Sequence, residues 1–286
     1  MQITGTTTML GLIGTPVAHS KSPAMYNYCF QKFGIDYAYL AFDVPPEKAE
    51  DAIGAIRTLH MRGANVTMPC KAAVIPFLDK LTPAARAIGA VNTIVNDGGV
   101  LTGHNTDGRG YTQNLRRHGV EAAGKRIVLL GGGGAGSAIT VQAALEGAAE
   151  ILVFNRKDAF WPRVEAAMQA AKEAAPACKI TLQDLDDRAA LQQAIKTADI
   201  LSNATRVGMA PLENESNIDP KWFRPDLVVT DVVYAPPDTR MLREAQAAGC
   251  KTCDGLGMLL CQGAEAFCLY SGMDMPIEEI RALLYA

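Results

Sequence analysis

One stretch constrains the fold more than any other: Lys125-Arg-Ile-Val-Leu-Leu-Gly-Gly-Gly-Gly-Ala-Gly-Ser-Ala138. An apolar run meets four consecutive glycines and then an alanine-rich helical pattern. Glycine carries no Cβ, so the backbone can turn sharply there and approach a pyrophosphate closely. The helix that follows presents unpaired N–H groups and a partial positive charge at its N-terminus. A strand, a glycine turn and a helix in this order form the first βα unit of a dinucleotide-binding sheet. The rest of the second half keeps that grammar. Strand candidates at 126–130, 150–154, 179–182, 199–202, 227–233 and 251–253 are mostly separated by helical patterns. Apolar, β-branched strands alternating with helices predict a Rossmann-type doubly wound parallel sheet with helices on both faces.

The first half reads as a second α/β domain. Strands are expected at 10–15, 37–44 and 64–68, with helices at 22–34, 46–61 and 70–81. Ser22 is read as the cap of the first helix and Pro23 as its first residue. Asn96-Asp-Gly-Gly99 between 91–95 and 100–103 is a hairpin signal. The boundary falls between Asp107 and Lys125, and two final helical patterns cover 258–270 and 276–285. Two domains suit a chain of 286 residues.

Composition removes several function classes. A net charge of −3 argues against a nucleic-acid or anionic-membrane surface. No apolar run approaches the ~18 residues of a membrane span, and the N-terminus lacks the pattern of a signal peptide. Seven scattered cysteines fit reduced thiols in a cytoplasmic protein. Cys250-Lys-Thr-Cys253 lacks a second ligand pair, and His19 and His104 have no metal-ligand spacing, so no metal is expected.

Chemistry-bearing residues collect at predicted strand ends. The second strand of the dinucleotide unit ends in Asn155-Arg-Lys-Asp158. An acidic residue there accepts from the ribose hydroxyls of NAD, and basic residues attract the 2′-phosphate of NADP. The mixture reads as NAD preferred with NADP accepted; Asp158 could equally cap the helix expected near Ala159. In the first half, His19–Pro23, Asn65–Lys71, Val91–Thr93 and His104–Asp107 bring hydroxyls, amides, one lysine and one carboxylate. That inventory suits a small polyhydroxylated molecule held by many hydrogen bonds. Lys71 and Asp107 could also form an acid/base pair, since a dry site lowers the lysine pKa from its free value near ~10.4.

The combination Ser20-Lys-Ser22-Pro23, Asn65-Val-Thr67-x-Pro69-x-Lys71, Val91-Asn92-Thr93, Asn105-Thr106-Asp107, Gly131-x-Gly133-Gly134-Ala135 and Gly257-Met258-x-x-x-Gln262 resembles the shikimate dehydrogenase family over essentially the whole chain. The stretches 154–158 and 207–216 look most like its quinate/shikimate branch. The resemblance implies a substrate and catalytic domain over 1–110, completed by the helices of 258–286, a Rossmann domain over 111–257, and an active-site cleft between them. It implies reversible hydride transfer between NAD(P) and a ring hydroxyl of shikimate or quinate. Ser20 and Ser22 would hold the carboxylate. Thr67, Lys71, Asn92, Asp107 and Gln262 would surround the ring, with Tyr39 and Thr106 shaping the pocket. Lys71 would be the general acid/base, paired with Asp107. Gly132, Gly133, Gly134 and Ala135 would hold the pyrophosphate, and Asn155, Arg156, Lys157 and Asp158 the adenosine ribose. Thr205, Arg206, Val232, Val233, Tyr234, Ala235 and Gly255 would line the nicotinamide side. A small-molecule substrate, no nucleic acid and no membrane follow, and a homodimer is compatible. Two alternatives keep the fold: an amino-shikimate substrate, or a dinucleotide-binding regulator without catalysis.

Overall fold

The computed structural model describes residues 2–285; Met1 and Ala286, the outermost residues of the expected domains, lie outside the described residues. The chain forms two compact units. One runs up to Thr106 and resumes at Gln262; the other is Asp107–Cys261.

The first unit holds β1 (Thr8–Gly14), β2 (Tyr37–Asp43), β3 (Gly63–Val66), β4 (Lys80–Leu81), β5 (Thr93–Asp97) and β6 (Val100–His104) in the order β2-β1-β3-β5-β6-β4. Strands β2, β1 and β3 are parallel, β5 runs antiparallel to β3, and β6 antiparallel to β5. The reversal is made by Gly98 and Gly99, at φ 63° and 94°. Two positive φ values in a two-residue loop match the twist of a hairpin, and glycine reaches them without strain. The helices α1 (Ser22–Phe33), α2 (Ala49–Thr58) and α3 (Pro83–Ile88) complete the order. A core of Ile13, Ile53, Ile56, Ala64, Val66, Val74, Ile94 and Leu101 fills one face of the sheet.

Two expectations are corrected. Residues 70–81 form turns, a short 3₁₀ segment (Ile75–Phe77) and β4, not a helix. Pro76 lies in the middle of that span, lacks an N–H and clashes with the preceding turn, so a helix cannot pass through it. Ser22 is the first helical residue, not the cap. The cap position is Lys21, and the Ser20 hydroxyl accepts from the Ser22 N–H at 3.2 Å.

The second unit holds α4 (Asp107–Arg117) and the parallel strands β7 (Arg126–Leu130), β8 (Glu150–Asn155), β9 (Lys179–Asp184), β10 (Ile200–Asn203), β11 (Val228–Asp231) and β12 (Lys251–Cys253). Their order is β12-β11-β10-β7-β8-β9, all pairs parallel. The sequence jumps outward from β7 in both directions, the doubly wound pattern. Connecting helices are α5 (Gly134–Leu145), α6 (Trp161–Ala174), α7 (Arg188–Lys196) and α8 (Arg240–Ala247); 206–227 crosses from β10 to β11 with only a 3₁₀ turn. No helix among the described residues is long and apolar enough to cross a membrane.

Helix α9 (Gly255–Ser271) begins in the second unit and ends in the first, and α10 (Ile277–Tyr285) closes the chain. The later part of α9 docks on α1. Tyr26 Oη donates to Gly263 O at 3.1 Å, and the Phe267 ring lies 5.8 Å from Phe30 and 6.3 Å from Tyr26. This aromatic stack holds the register of α9 and so the position of Gln262. Phe267 is fully buried, and Phe267→Ala is expected to cost about 3–5 kcal/mol in a urea melt.

Candidate active site

The topology of the first sheet brings its chemistry to one edge. β1 and β3 are parallel, so the segments after both, with Ser20, Ser22, Thr67 and Lys71, leave from the same end. β5 is antiparallel to β3, with Asn65 opposite Thr93, so the start of β5 lies at that end too. Thr93 in turn pairs with His104, so β6 delivers Asn105 and Thr106 there. Four stretches far apart in sequence therefore share the carboxyl edge, where open α/β sheets bind ligands.

At that edge the polar side chains form one hydrogen-bonded chain. Tyr39 Oη donates to Asn65 Oδ1 at 2.8 Å, and Asn65 Nδ2 donates to Thr93 Oγ1 at 3.1 Å. Thr93 Oγ1 donates to Asn92 Oδ1 at 3.0 Å, and that oxygen also accepts from Thr106 N at 2.8 Å. Asn92 Nδ2 donates to Thr106 Oγ1 at 2.9 Å, and Thr106 Oγ1 reaches Gln262 Oε1 at 3.4 Å. Tyr39, Asn65, Asn92, Thr93 and Thr106 are buried, whereas Gln262 is partly exposed. Burial raises the Tyr39 hydroxyl well above its ordinary pKa, so it stays a neutral donor. Tyr39 is thus the inner anchor of the chain.

Lys71 is held by its backbone and its neighbour. Its carbonyl accepts from Val91 N at 2.8 Å, tying it to the residue before Asn92. Cys70 is buried, and its Sγ donates to Val44 O at 3.2 Å. The tight turn is closed by Cys70 N donating to Thr67 O at 2.9 Å. Thr67, Lys71, Ser20 and Ser22 are all partly exposed. Asp107 follows Thr106 directly and opens α4.

The glycine turn of the second unit divides the work among its glycines. Gly131 adopts φ 91°, which only glycine takes without strain. A Cβ at Gly136 would sit 2.0 Å from Gly131 O, and one at Gly132 would sit 2.3 Å from Val164 Cγ1. Gly132 is buried, and its N–H donates to Asn155 Oδ1 at 3.1 Å, so Gly132 and Asn155 fasten the turn to β8. Gly133 and Gly134 are exposed, with open space where a Cβ would be. The first turn of α5 carries no acidic residue, and its leading N–H groups lack intrahelical partners. An open, electropositive helix start with bare glycines fits a pyrophosphate.

At the tip of β8, Arg156, Lys157 and Asp158 are exposed. Asp158 Oδ1 accepts from Phe160 N at 2.9 Å, and α6 begins at Trp161 with Phe160 as its cap residue, so Asp158 shapes the approach to the helix from outside it. Lys157 lies 5.5 Å from the Trp161 ring and 4.0 Å from Asp184. Arg206, Tyr234 and Ala235 are exposed, Val232 and Thr205 partly so, and Val233 is buried. Gly255 packs against the backbone of Val232 and Val233: a Cβ there would meet Val233 O at 2.3 Å.

Sequence reasoning missed the residues that hold these loops. Asn203 and Asp231 end β10 and β11, and both are buried. Asn203 Nδ2 donates to Asp231 Oδ1 at 2.9 Å and to Val207 O at 3.0 Å; Asn203 Oδ1 accepts from Thr205 Oγ1 at 2.6 Å. Asp231 also accepts from Val233 N at 3.0 Å and Thr239 Oγ1 at 2.8 Å. The available signal was a polar residue closing an apolar strand. Burial, opposed by these bonds, pushes the Asp231 carboxyl up to about 6.

Two family models match: the shikimate dehydrogenase substrate binding domain over residues 12–94 and the shikimate 5′-dehydrogenase C-terminal domain over 255–285. A shikimate dehydrogenase (NADP(+)) of Listeria monocytogenes is 46% identical over 285 residues, covering 99% of this chain and 98% of the relative. The chain belongs to the shikimate dehydrogenase family. A quinate/shikimate dehydrogenase of Escherichia coli is also 46% identical, over 99% of both chains. The solved structure of shikimate 5-dehydrogenase from Listeria monocytogenes, in complex with shikimate and NAD, superposes with a TM-score of 0.96 at 46% identity, covering 100% of this chain and 99% of that one.

Asp231 gives a pH test. Between about pH 4 and 6 the native state holds a proton that the unfolded chain releases, so its stability falls as the pH rises through that window. Above pH 6 the native state carries a desolvated charge that the unfolded chain keeps hydrated. Asp231→Asn is expected to be more stable than wild type at pH 8, on the order of 2 kcal/mol, and to lose that advantage near pH 4. Urea melts at the two pH values measure it.

Proposed function

We propose that this protein is an NAD(P)-dependent dehydrogenase that interconverts shikimate, or quinate, and the corresponding 3-keto acid. The observation that carries the reading is the hydrogen-bonded chain at the first sheet's edge, which runs from buried Tyr39 to partly exposed Gln262 beside the Lys71 turn. A polyhydroxylated ring needs several fixed donors and acceptors, and amide and hydroxyl side chains already locked by one another supply them at little entropic cost. Family membership adds that relatives similar over nearly the whole length are named for shikimate and for quinate.

In this reading Ser20 and Ser22 hold the ring carboxylate, helped by the helix N-terminus at Ser22. Thr67, Asn92 and Gln262 hold the ring hydroxyls, and Thr106 and Tyr39 keep Asn92 and Asn65 in place. Lys71 accepts the proton of the reacting hydroxyl during oxidation. During reduction its ammonium returns that proton and stabilises the oxygen as negative charge develops. Asp107 orients the hydroxyl and the lysine. The bound nicotinamide supplies the hydride acceptor in one direction and the donor in the other. Gly133, Gly134 and Ala135 cradle the pyrophosphate, with Gly132 and Asn155 holding the turn beneath it. The nicotinamide side is lined by the 205–206 and 232–235 segments over Gly255.

Purified protein with shikimate or quinate and NAD⁺ or NADP⁺ is expected to give dehydrogenation in at least one pair. Lys71→Ala is expected to lower kcat by about 10²–10⁴ with dinucleotide affinity little changed. An effect confined to the acid's KM would move Lys71 to a binding role, and no turnover with any pair would refute the reading.

For the dinucleotide we infer NAD as the preferred form with NADP accepted. The Asp158 carboxylate is exposed just past the tip of β8 and can accept from a ribose diol while one oxygen serves Phe160 N; it would repel a 2′-phosphate, which Arg156 and Lys157 offset. Asp158→Ala should raise the KM for NAD⁺ more than that for NADP⁺. Equal changes would leave Asp158 only its backbone role.

A further inference from the structure

The second unit contains a buried carboxylate with no cation among its hydrogen-bonding partners. Asp231 is 2% exposed, at the end of β11, and its carboxylate accepts from the Asn203 and Thr239 side chains and from the Val233 N–H. Desolvating a charge in this way is unfavourable, so what its bonds achieve matters. They join two separate loops. Through Asn203, whose amide also takes Val207 O and Thr205 Oγ1, the carboxylate fixes the segment after β10. Thr205 Oγ1 in turn accepts from Val207 N at 3.2 Å and Asn217 Nδ2 at 3.1 Å, so the grip extends along the loop. Through Val233 N and Thr239 Oγ1 it fixes the segment after β11, where the Thr239 hydroxyl also accepts from Leu242 N at 3.4 Å and starts α8. Gly208, at φ 105°, packs on Thr239, with space for a Cβ only 3.2 Å from Thr239 Cγ2. The two loops thus close on a single carboxylate.

We propose that Asp231 is the positioning residue of the nicotinamide side, holding the 205–208 and 232–239 loops in one relative register for the dinucleotide. The inference rests on the reading that these loops take the nicotinamide end. Asp231 itself touches neither substrate nor dinucleotide. Its removal frees both loops, so the cost falls on dinucleotide binding and not on the acid held by the other unit.

The test uses the full-length protein and measures the Kd for NAD⁺ and NADP⁺ by titration calorimetry alongside the KM for shikimate. Asp231→Ala is expected to weaken the better-bound dinucleotide at least ten-fold, with the shikimate KM within two-fold. Asp231→Asn keeps the Oδ1 acceptor for Asn203 and Val233 N and is expected to restore affinity to within about three-fold. If the alanine variant does not fold, Thr239→Val, which removes the donor to Asp231 together with the cap acceptor for Leu242 N at nearly constant volume, is expected to weaken the dinucleotide three-fold or more. Folded Ala or Val variants that bind dinucleotide as wild type does would overturn the proposal. So would equal losses for dinucleotide and shikimate, the mark of general destabilisation. Wild type that binds neither dinucleotide would instead overturn the reading of the site.

Discussion

The Asn92 side chain is the interaction on which the first unit's edge depends. Its oxygen takes Thr106 N and Thr93 Oγ1, and its nitrogen takes Thr106 Oγ1. One amide therefore ties the entry of β5 to the exit of β6, while the Val91 N–H beside it holds Lys71. A buried amide left without these partners would cost about 1–3 kcal/mol per group, so the edge has one low-energy arrangement. Asn65 and Tyr39 extend the lock into the core, where the Tyr26 ring lies 4.7 Å from the Tyr39 ring at a tilt of 35°. The site's polar groups are thus fixed from behind by the aromatic stack that also docks α9.

The second unit solves the same problem with the same device. Parallel strands end in polar residues, and those residues bond sideways to fix the loops that follow. Asn203 and Asp231 do at β10 and β11 what Asn65 and Asn92 do at β3 and β5. The difference is charge: the Asn65, Asn92, Thr93 and Thr106 side chains are neutral, whereas the second unit's lock includes a carboxylate whose burial opposes stability above about pH 6.

Much of this was legible in the chain because it follows from short-range chemistry. The Gly131–Gly134 turn, the Gly98-Gly99 reversal and the alternation after Lys125 are local signals, and the strands and helices they announce are present. Sequence and structure part where one residue breaks a helical pattern or where a distant partner decides. Pro76 breaks the helical pattern of 70–81, and a 3₁₀ segment stands there instead. The register that sets Asn65 opposite Thr93 is a tertiary fact, so no window of sequence shows that Asn65, Thr93 and Asn92 share hydrogen bonds. Asp231 is hidden for the same reason: in sequence it is one aspartate among many, and only the fold removes it from water.

In the proposed function the locked edge presents Lys71 to a ring hydroxyl. A crystal structure of the protein with shikimate and a dinucleotide tests it most directly. The ring carboxylate is expected at Ser20 and Ser22 and the reacting hydroxyl within about 3.2 Å of Lys71 Nζ, with Asn92 or Gln262 on a neighbouring hydroxyl. A ring bound away from the β3 and β5 ends, or a Lys71 ammonium turned from it into solvent, would contradict it.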